Sequence, residues 1–247
     1  MARYKIELEY DGTNLIGWQE NQDGSSVQSV LMDAIEKFCG ARPTIFGAGR
    51  TDAGVHAVCM TAHFDLDKDV SPETVKRAMN FYLINEPVSV LNCERVSDEF
   101  NARFSCVARH YKYVVLNRGA APVLDKNRVW WVPQKLNVDA MRAAAKKLIG
   151  NHDFTSFRAS ECQAKSPIKT LDKIEITLDG DKIIFELSAR SFLHHMVRNI
   201  VGTLVEIGLG KPMDIDEILA AKNRSVAGPT APASGLFFIR ADYATND

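Results

Sequence analysis

No stretch of this 247-residue chain approaches the ~18 consecutive apolar residues that a membrane helix needs, so no membrane span is expected. The N-terminus, Met1-Ala2-Arg3-Tyr4-Lys5, runs directly into a strand-like pattern. It lacks the apolar segment of a secretory signal, so no signal peptide is expected. Cysteine is sparse: Cys39, Cys59, Cys93, Cys106 and Cys162 are odd in number, scattered and never spaced C-x-x-C. That argues against a zinc site and a disulfide framework, and for reduced thiols in a cytoplasmic protein. An excess of charge of either sign is missing too. A net charge of −1 does not announce a nucleic-acid binder, although a local basic cleft stays compatible with it.

What the chain does have is the 46% hydrophobic and 25% charged content of a globular protein with a real core. Charge is unevenly spread: Asn101 to Arg118 carries Arg103, Arg109, Lys112 and Arg118 and no acid, whereas 65–99 is acid-rich. Tyr4, Ile6, Leu8 and Tyr10 alternate with polar residues, which predicts a half-buried strand ended by Asp11-Gly12. The polar loop that follows, to Asp23-Gly24, contains Trp18, expected to fold back on the core. Ser25 or Ser26 should cap a helix that Gly40 stops. Ser71-Pro72 should start another, with Val75, Ala78, Met79, Tyr82 and Leu83 inward. With strands around residues 44–46, 58–64 and 88–96, the order is the split βαβ plan of a ferredoxin-like domain. Further on, Val129 to Val132 reads as core, and Asn137 caps a helix. Residues 168–178 and 182–189 form a hairpin over Asp179-Gly180-Asp181, and Asp214 with Glu217 makes a capping box.

The stretch Gly47-Ala-Gly-Arg-Thr-Asp-Ala-Gly-Val-His-Ala57 places Asp52 between Gly49 and Gly54, with Arg50 and His56 close by. Three glycines in eight residues permit a sharp bend and a close approach by another chain. The dinucleotide pattern fails because Asp52 stands where its third glycine belongs. The phosphate-loop pattern fails because Val55-His56 replace Lys and Ser/Thr. Taken alone, the stretch suits a tight turn with a self-bonded Asp as well as a catalytic loop. Two other stretches hold candidates. In Arg109-His110-Tyr111-Lys112-Tyr113, alternation puts both tyrosines on one face, as a stacking platform or as core residues. Residues 191–208 read as a largely apolar, buried helix. Ser191, His194, His195, Arg198 and Gly202 form the polar stripe on one side, and a buried Arg198 needs an acid there or must reach solvent. The adjacent histidines would point about 100° apart on such a helix, which argues against a metal. His152-Asp153 has no nucleophile arranged beside it and reads as structural. The loop 158–169 holds three cations and one acid and is a candidate phosphate contact.

Gly49 to Ala57, GRTDAGVHA, resembles the catalytic motif of the TruA family of tRNA pseudouridine synthases over nine consecutive residues. The tyrosine stretch, Gly150 to Phe157, the 191–208 segment and Ala231-Pro-Ala-Ser-Gly-Leu236 resemble the family as well, in its order and over essentially the full length. A tyrosine is common in the family where His194 stands, a mild departure. The resemblance implies an α/β fold of two ferredoxin-like-derived domains, residues 1–104 and 105–247. They form an extended antiparallel sheet flanked by helices, with the active cleft between them. It implies Asp52 as the catalytic carboxylate, Tyr111 stacking on the target uracil, and Arg198 paired with Asp52. Arg50 would fill the space left by a flipped base, and Leu236 would help wall the uracil pocket. It further implies a cytoplasmic homodimer acting on tRNA at positions 38 to 40 of the anticodon stem-loop, with no cofactor or metal and no membrane. Two readings from other classes stand against it: an inactive RNA-binding module on the same fold, and a nucleotide-dependent enzyme using the glycine-rich loop.

Overall fold

The computed structural model describes residues 1–22 and 24–244; Asp23 and residues 245–247 lie outside the described residues. The chain divides into two compact units. One holds Met1–Val107 with the chain from Phe237 onward, the other Ala108–Leu236. The fold is mixed α/β with mostly antiparallel strands, as expected.

In the first unit the elements are β1 (Ala2–Tyr10), α1 (Val27–Cys39), β2 (Phe46–Gly47), β3 (His56–Leu66), α2 (Pro72–Tyr82) and β4 (Val88–Arg95). Strand β1 lies between β4 and β3, and β2 pairs with β3, all antiparallel. This is the strand order of the split βαβ plan. Tyr4, Ile6, Leu8 and Tyr10 of β1 are buried, as their alternation requires. Ser26 caps α1 in a reciprocal box with Ser29, and Gly40 ends it in the left-handed conformation at φ 77°. Ser71 caps α2 with Pro72 in the first turn. Val75, Met79 and Leu83 are buried, but Tyr82 is exposed. The inward stripe follows the four-residue repeat to Leu83, and Tyr82 sits about 100° around from it. Trp18 is folded inward, and Gly47 makes the room: a Cβ there would come within 2.5 Å of the indole.

His63 is buried inside this unit. Its Nδ1 accepts the Ala102 N–H at 3.1 Å, and its ring stacks on Phe46 at 5.2 Å. Burial pushes its pKa below the ordinary histidine value, and the nearby Arg3 charge adds to this while Asp65 opposes it. Arg3 is itself bound in a two-pronged pair to Asp65, both bonds 2.8 Å, which holds that carboxyl below its usual range. The unfolded chain therefore takes up a proton at His63 as pH falls below about 6.5 while the folded chain resists it, so stability should fall from there downward. A second loss, from Asp65, should begin near the ordinary Asp range and continue to lower pH. Urea midpoints at pH 7.5 and 5.5 measure the first step, and His63→Gln should flatten the difference.

The second unit holds β5 (Cys106–Leu116), which begins at the border, then β6 (Trp130–Trp131), α3 (Val138–Lys146), β7 (Gly150–Asp153) and β8 (Ile168–Asp179). After these come β9 (Lys182–Ala189), α4 (Met196–Gly208) and α5 (Ile215–Ala221). Strands β5, β9, β8 and β7 neighbour one another in that order, and β6 runs parallel to β5. Asn137 caps α3 through the Ala140 N–H, and Gly180 turns the β8–β9 hairpin at φ 56°. Val129 and Val132 are core, but Trp131 is partly exposed and donates its Nε1–H to the Arg118 carbonyl. The last strand, β10 (Leu236–Tyr243), runs parallel to β3 through Phe237–His56 and Phe238–Ala57, inside the first unit. Among the described residues no helix is long and apolar enough to cross a membrane.

Candidate functional site

Asp52 stands on a loop that its own unit braces through backbone bonds. The Trp18 N–H donates to the Thr51 carbonyl at 3.0 Å, and the Gly54 N–H donates to the Leu15 carbonyl at 3.3 Å. Gly17 and Asp52 form an antiparallel bridge, and the Val55 N–H closes a turn on the Asp52 carbonyl at 3.2 Å. The glycines that permit this lie mostly on the bracing segment. A Cβ on Gly12 would sit 2.0 Å from the Val55 carbonyl oxygen. One on Gly17, at φ 107°, would sit 2.6 Å from that of Thr51. Thr51 is buried, Asp52 half-buried and Arg50 exposed. His56, next to the loop, is buried rather than a member of an open charged trio. Its Nδ1 accepts the Gly12 N–H at 3.1 Å, its ring stacks on Phe237 at 4.8 Å, and the Asp11 carboxylate lies 3.1 Å from the same nitrogen.

In the second unit Tyr111 and Tyr113 share a face of β5, as alternation predicts. Tyr113 is a core residue: its hydroxyl donates to the Pro232 carbonyl at 2.7 Å, and its ring lies against Gly235, where a Cβ would come within 2.6 Å. Burial holds that hydroxyl protonated well above the ordinary tyrosine range. Tyr111 is 9% exposed, with its ring in an edge-to-face contact with Phe192 at 5.1 Å.

The 191–208 segment departs from the single helix expected. Helix α4 begins only at Met196. His195 precedes it in the left-handed conformation, φ 61°, and Ser191 to Leu193 is not helical. The polar stripe is therefore not one helical face. His194 and His195 share a turn with ring centroids 4.1 Å apart, so the helical angle used to separate them does not apply. Arg198 is half-buried rather than buried. Its Nε donates to the Ala231 carbonyl at 2.7 Å, and the Ala231 N–H returns a bond to the Arg198 carbonyl at 3.2 Å.

The segment 228–231 that grips Arg198 is itself tied to α4. Buried Asn199 accepts from the Arg224 guanidinium at 3.0 Å and from the Thr230 hydroxyl at 2.7 Å. The Gly228 N–H donates to the Thr203 hydroxyl at 2.9 Å. Burial lowers the pKa of Arg224, a cation held here by neutral oxygens. Neither Asn199 nor Arg224 was a sequence candidate. An uncharged residue in an apolar helix carries little signal, and Arg224 lies 25 residues from its partner.

Arg158, expected among possible phosphate contacts, staples its own loop by donating to the carbonyls of Cys162 and Ala164 at 2.5 and 3.1 Å. His152 and Asp153 are structural, as expected. The imidazole Nε2 bonds the Ile149 carbonyl at 3.0 Å. The carboxylate accepts from the Thr155 N–H and hydroxyl, which hold its pKa below the usual range.

The tRNA pseudouridine synthase family pattern matches residues 8–105 and 144–244 of this chain. The chain is 50% identical over 248 aligned residues to the tRNA pseudouridine synthase A of Paramagnetospirillum magneticum, an alignment covering 100% of this chain and 97% of that protein. It is 48% identical to the tRNA pseudouridine synthase A of Brucella ovis, with 99% of each chain covered. A solved chain from a Cbf5-Nop10-Gar1 complex superposes over 95% of this chain and 48% of its own length, at 12% identity and a TM-score of 0.39, a likeness too loose to carry an argument.

Proposed function

The chain belongs to the tRNA pseudouridine synthase family, of the bacterial TruA type, and is an isomerase that forms pseudouridine in tRNA; from this premise we propose that it acts in the anticodon stem-loop, at positions 38 to 40, with Asp52 as its one catalytic carboxylate and no cofactor. The observation that most supports the choice of Asp52 is its mounting. It is the half-buried carboxylate of a loop braced on both sides by backbone bonds, in the nine-residue stretch that resembles the family's catalytic motif.

The reaction breaks the N1–C1′ glycosidic bond of uridine, forms a bond from C5 to C1′, releases the C5 hydrogen to water as a proton and leaves a proton on N1. One proton is lost and one gained, so the product is an isomer and neither redox nor external group-transfer chemistry is required. An ionised carboxylate acts as nucleophile or as base at the sugar. Arg198, whose role rests on the family resemblance, favours the charged form of that carboxylate. Tyr111, whose role likewise rests on the family resemblance, stacks on the uracil. Exposed Arg50 takes the space of the flipped base, because a base inside a duplex must first leave the stack. The enzyme works as a homodimer in the cytoplasm.

The test is tRNA carrying tritium at uridine C5, incubated with the protein alone. Label should pass to water without any cofactor, and at the same rate with EDTA present. Substitution of U38, U39 and U40 by C should stop the release. Bound tRNA with no release would favour the RNA-binding module, and release from other positions would remove the anticodon-stem assignment. Sedimentation should give twice the 27.5 kDa chain mass.

A further inference from the structure

Thr51 and Asp52 are neighbours just before a turn, and their side chains differ in setting: Thr51 is buried, and Asp52, bridged to Gly17, is half-buried. Fixing one constrains the other. The backbone of Thr51 is fixed by the Trp18 N–H on its carbonyl. Its side chain is fixed separately: the Thr51 hydroxyl shares a buried hydrogen bond of 2.9 Å with the hydroxyl of Tyr10, the last residue of β1. Tyr10 is 4% exposed and sits in the register of β1 with both β3 and β4, opposite Ala57 and Val88. Its ring cannot swing without disturbing the sheet.

The geometry points to Tyr10 and Thr51 as positioning residues that fix the direction of the Asp52 carboxylate. The inference rests on Asp52 being the catalytic group. The Tyr10 hydroxyl holds the Thr51 side chain inward, so the neighbouring Asp52 carboxylate is presented without a search. Backbone bonds brace the path of the loop. The hydroxyl pair removes the remaining rotation about Thr51, and a misplacement of about 1 Å can cost as much as a hundredfold in rate.

The experiment compares wild type, Tyr10→Phe, Thr51→Val and Thr51→Ser by tritium release and by tRNA binding on filters, with thermal unfolding measured alongside. Tyr10→Phe and Thr51→Val each remove one hydroxyl at nearly constant volume. Each should lower kcat about tenfold while KM and the Kd for tRNA stay within about twofold. The double variant should fall no further than either single one, because one bond is lost in all three cases. Thr51→Ser keeps the hydroxyl and should retain most of kcat. Wild-type kcat in Tyr10→Phe and Thr51→Val would overturn the proposal. So would a loss in Thr51→Ser as large as in Thr51→Val, or a loss that tracks the unfolding midpoint across the set. Failure of the wild type to release label, with tRNA bound, would overturn the catalytic reading and this inference together, an outcome distinct from the variant results.

Discussion

Asp52→Ala is expected to bind tRNA within about threefold of the wild-type Kd and to release label at least about a thousandfold more slowly, the scale of a lost catalytic carboxylate. The two halves of that result have different origins. Binding survives because the loop is braced by main-chain groups: the Trp18 N–H on the Thr51 carbonyl, the Gly54 N–H on the Leu15 carbonyl, and the Gly17–Asp52 bridge. An alanine keeps all of them. Turnover is lost because no other side chain of the loop supplies a carboxylate. Asp52→Asn, which keeps the shape and removes the charge, should be as inactive as the alanine variant. A loss of tRNA affinity exceeding tenfold, or residual turnover above about 1%, would show Asp52 to be structural instead.

Gly202→Ala should destabilise the protein by at least about 3 kcal/mol, at the upper end of overpacking costs. That corresponds to roughly 6–12 °C in the unfolding midpoint for a chain of this size. The sign is the opposite of the usual one, since alanine normally improves on glycine in a helix by up to about 1 kcal/mol. Here an added Cβ would lie 1.8 Å from the Pro229 carbonyl oxygen and 3.3 Å from the Ala231 nitrogen. The segment cannot simply retreat. The Gly228 N–H is bonded to Thr203, Thr230 to Asn199, and Ala231 to Arg198 in both directions. The same substitution should therefore lower turnover as well, by moving the segment that grips Arg198. Gly119→Ala, where nothing lies within 4 Å of the new atom, is the control and should change the midpoint by less than about 1 °C. A Gly202→Ala variant as stable as wild type would mean that α4 and the 228–231 segment are less closely packed than described.

The sequence by itself determined what depends on neighbours along the chain. The β1 alternation, the caps at Ser26, Ser71 and Asn137, the stop at Gly40 and the hairpin turn at Gly180 are short-range physics, and each is present. The strand and helix order carried the split βαβ plan of the first unit. The nine-residue stretch around Asp52 identified the family. Tertiary structure alone decided what depends on residues far apart. Local periodicity made residues 191–208 one helix, but His195 takes a left-handed turn and the helix begins after it. Arg158 looked like a surface cation and is spent on two carbonyls of its own loop. Tyr10 looked like one more inward residue of a strand, yet its hydroxyl meets Thr51, 41 positions on, beside Asp52. A hydrogen bond between distant residues leaves no spacing pattern to find, because the sheet register brings them together.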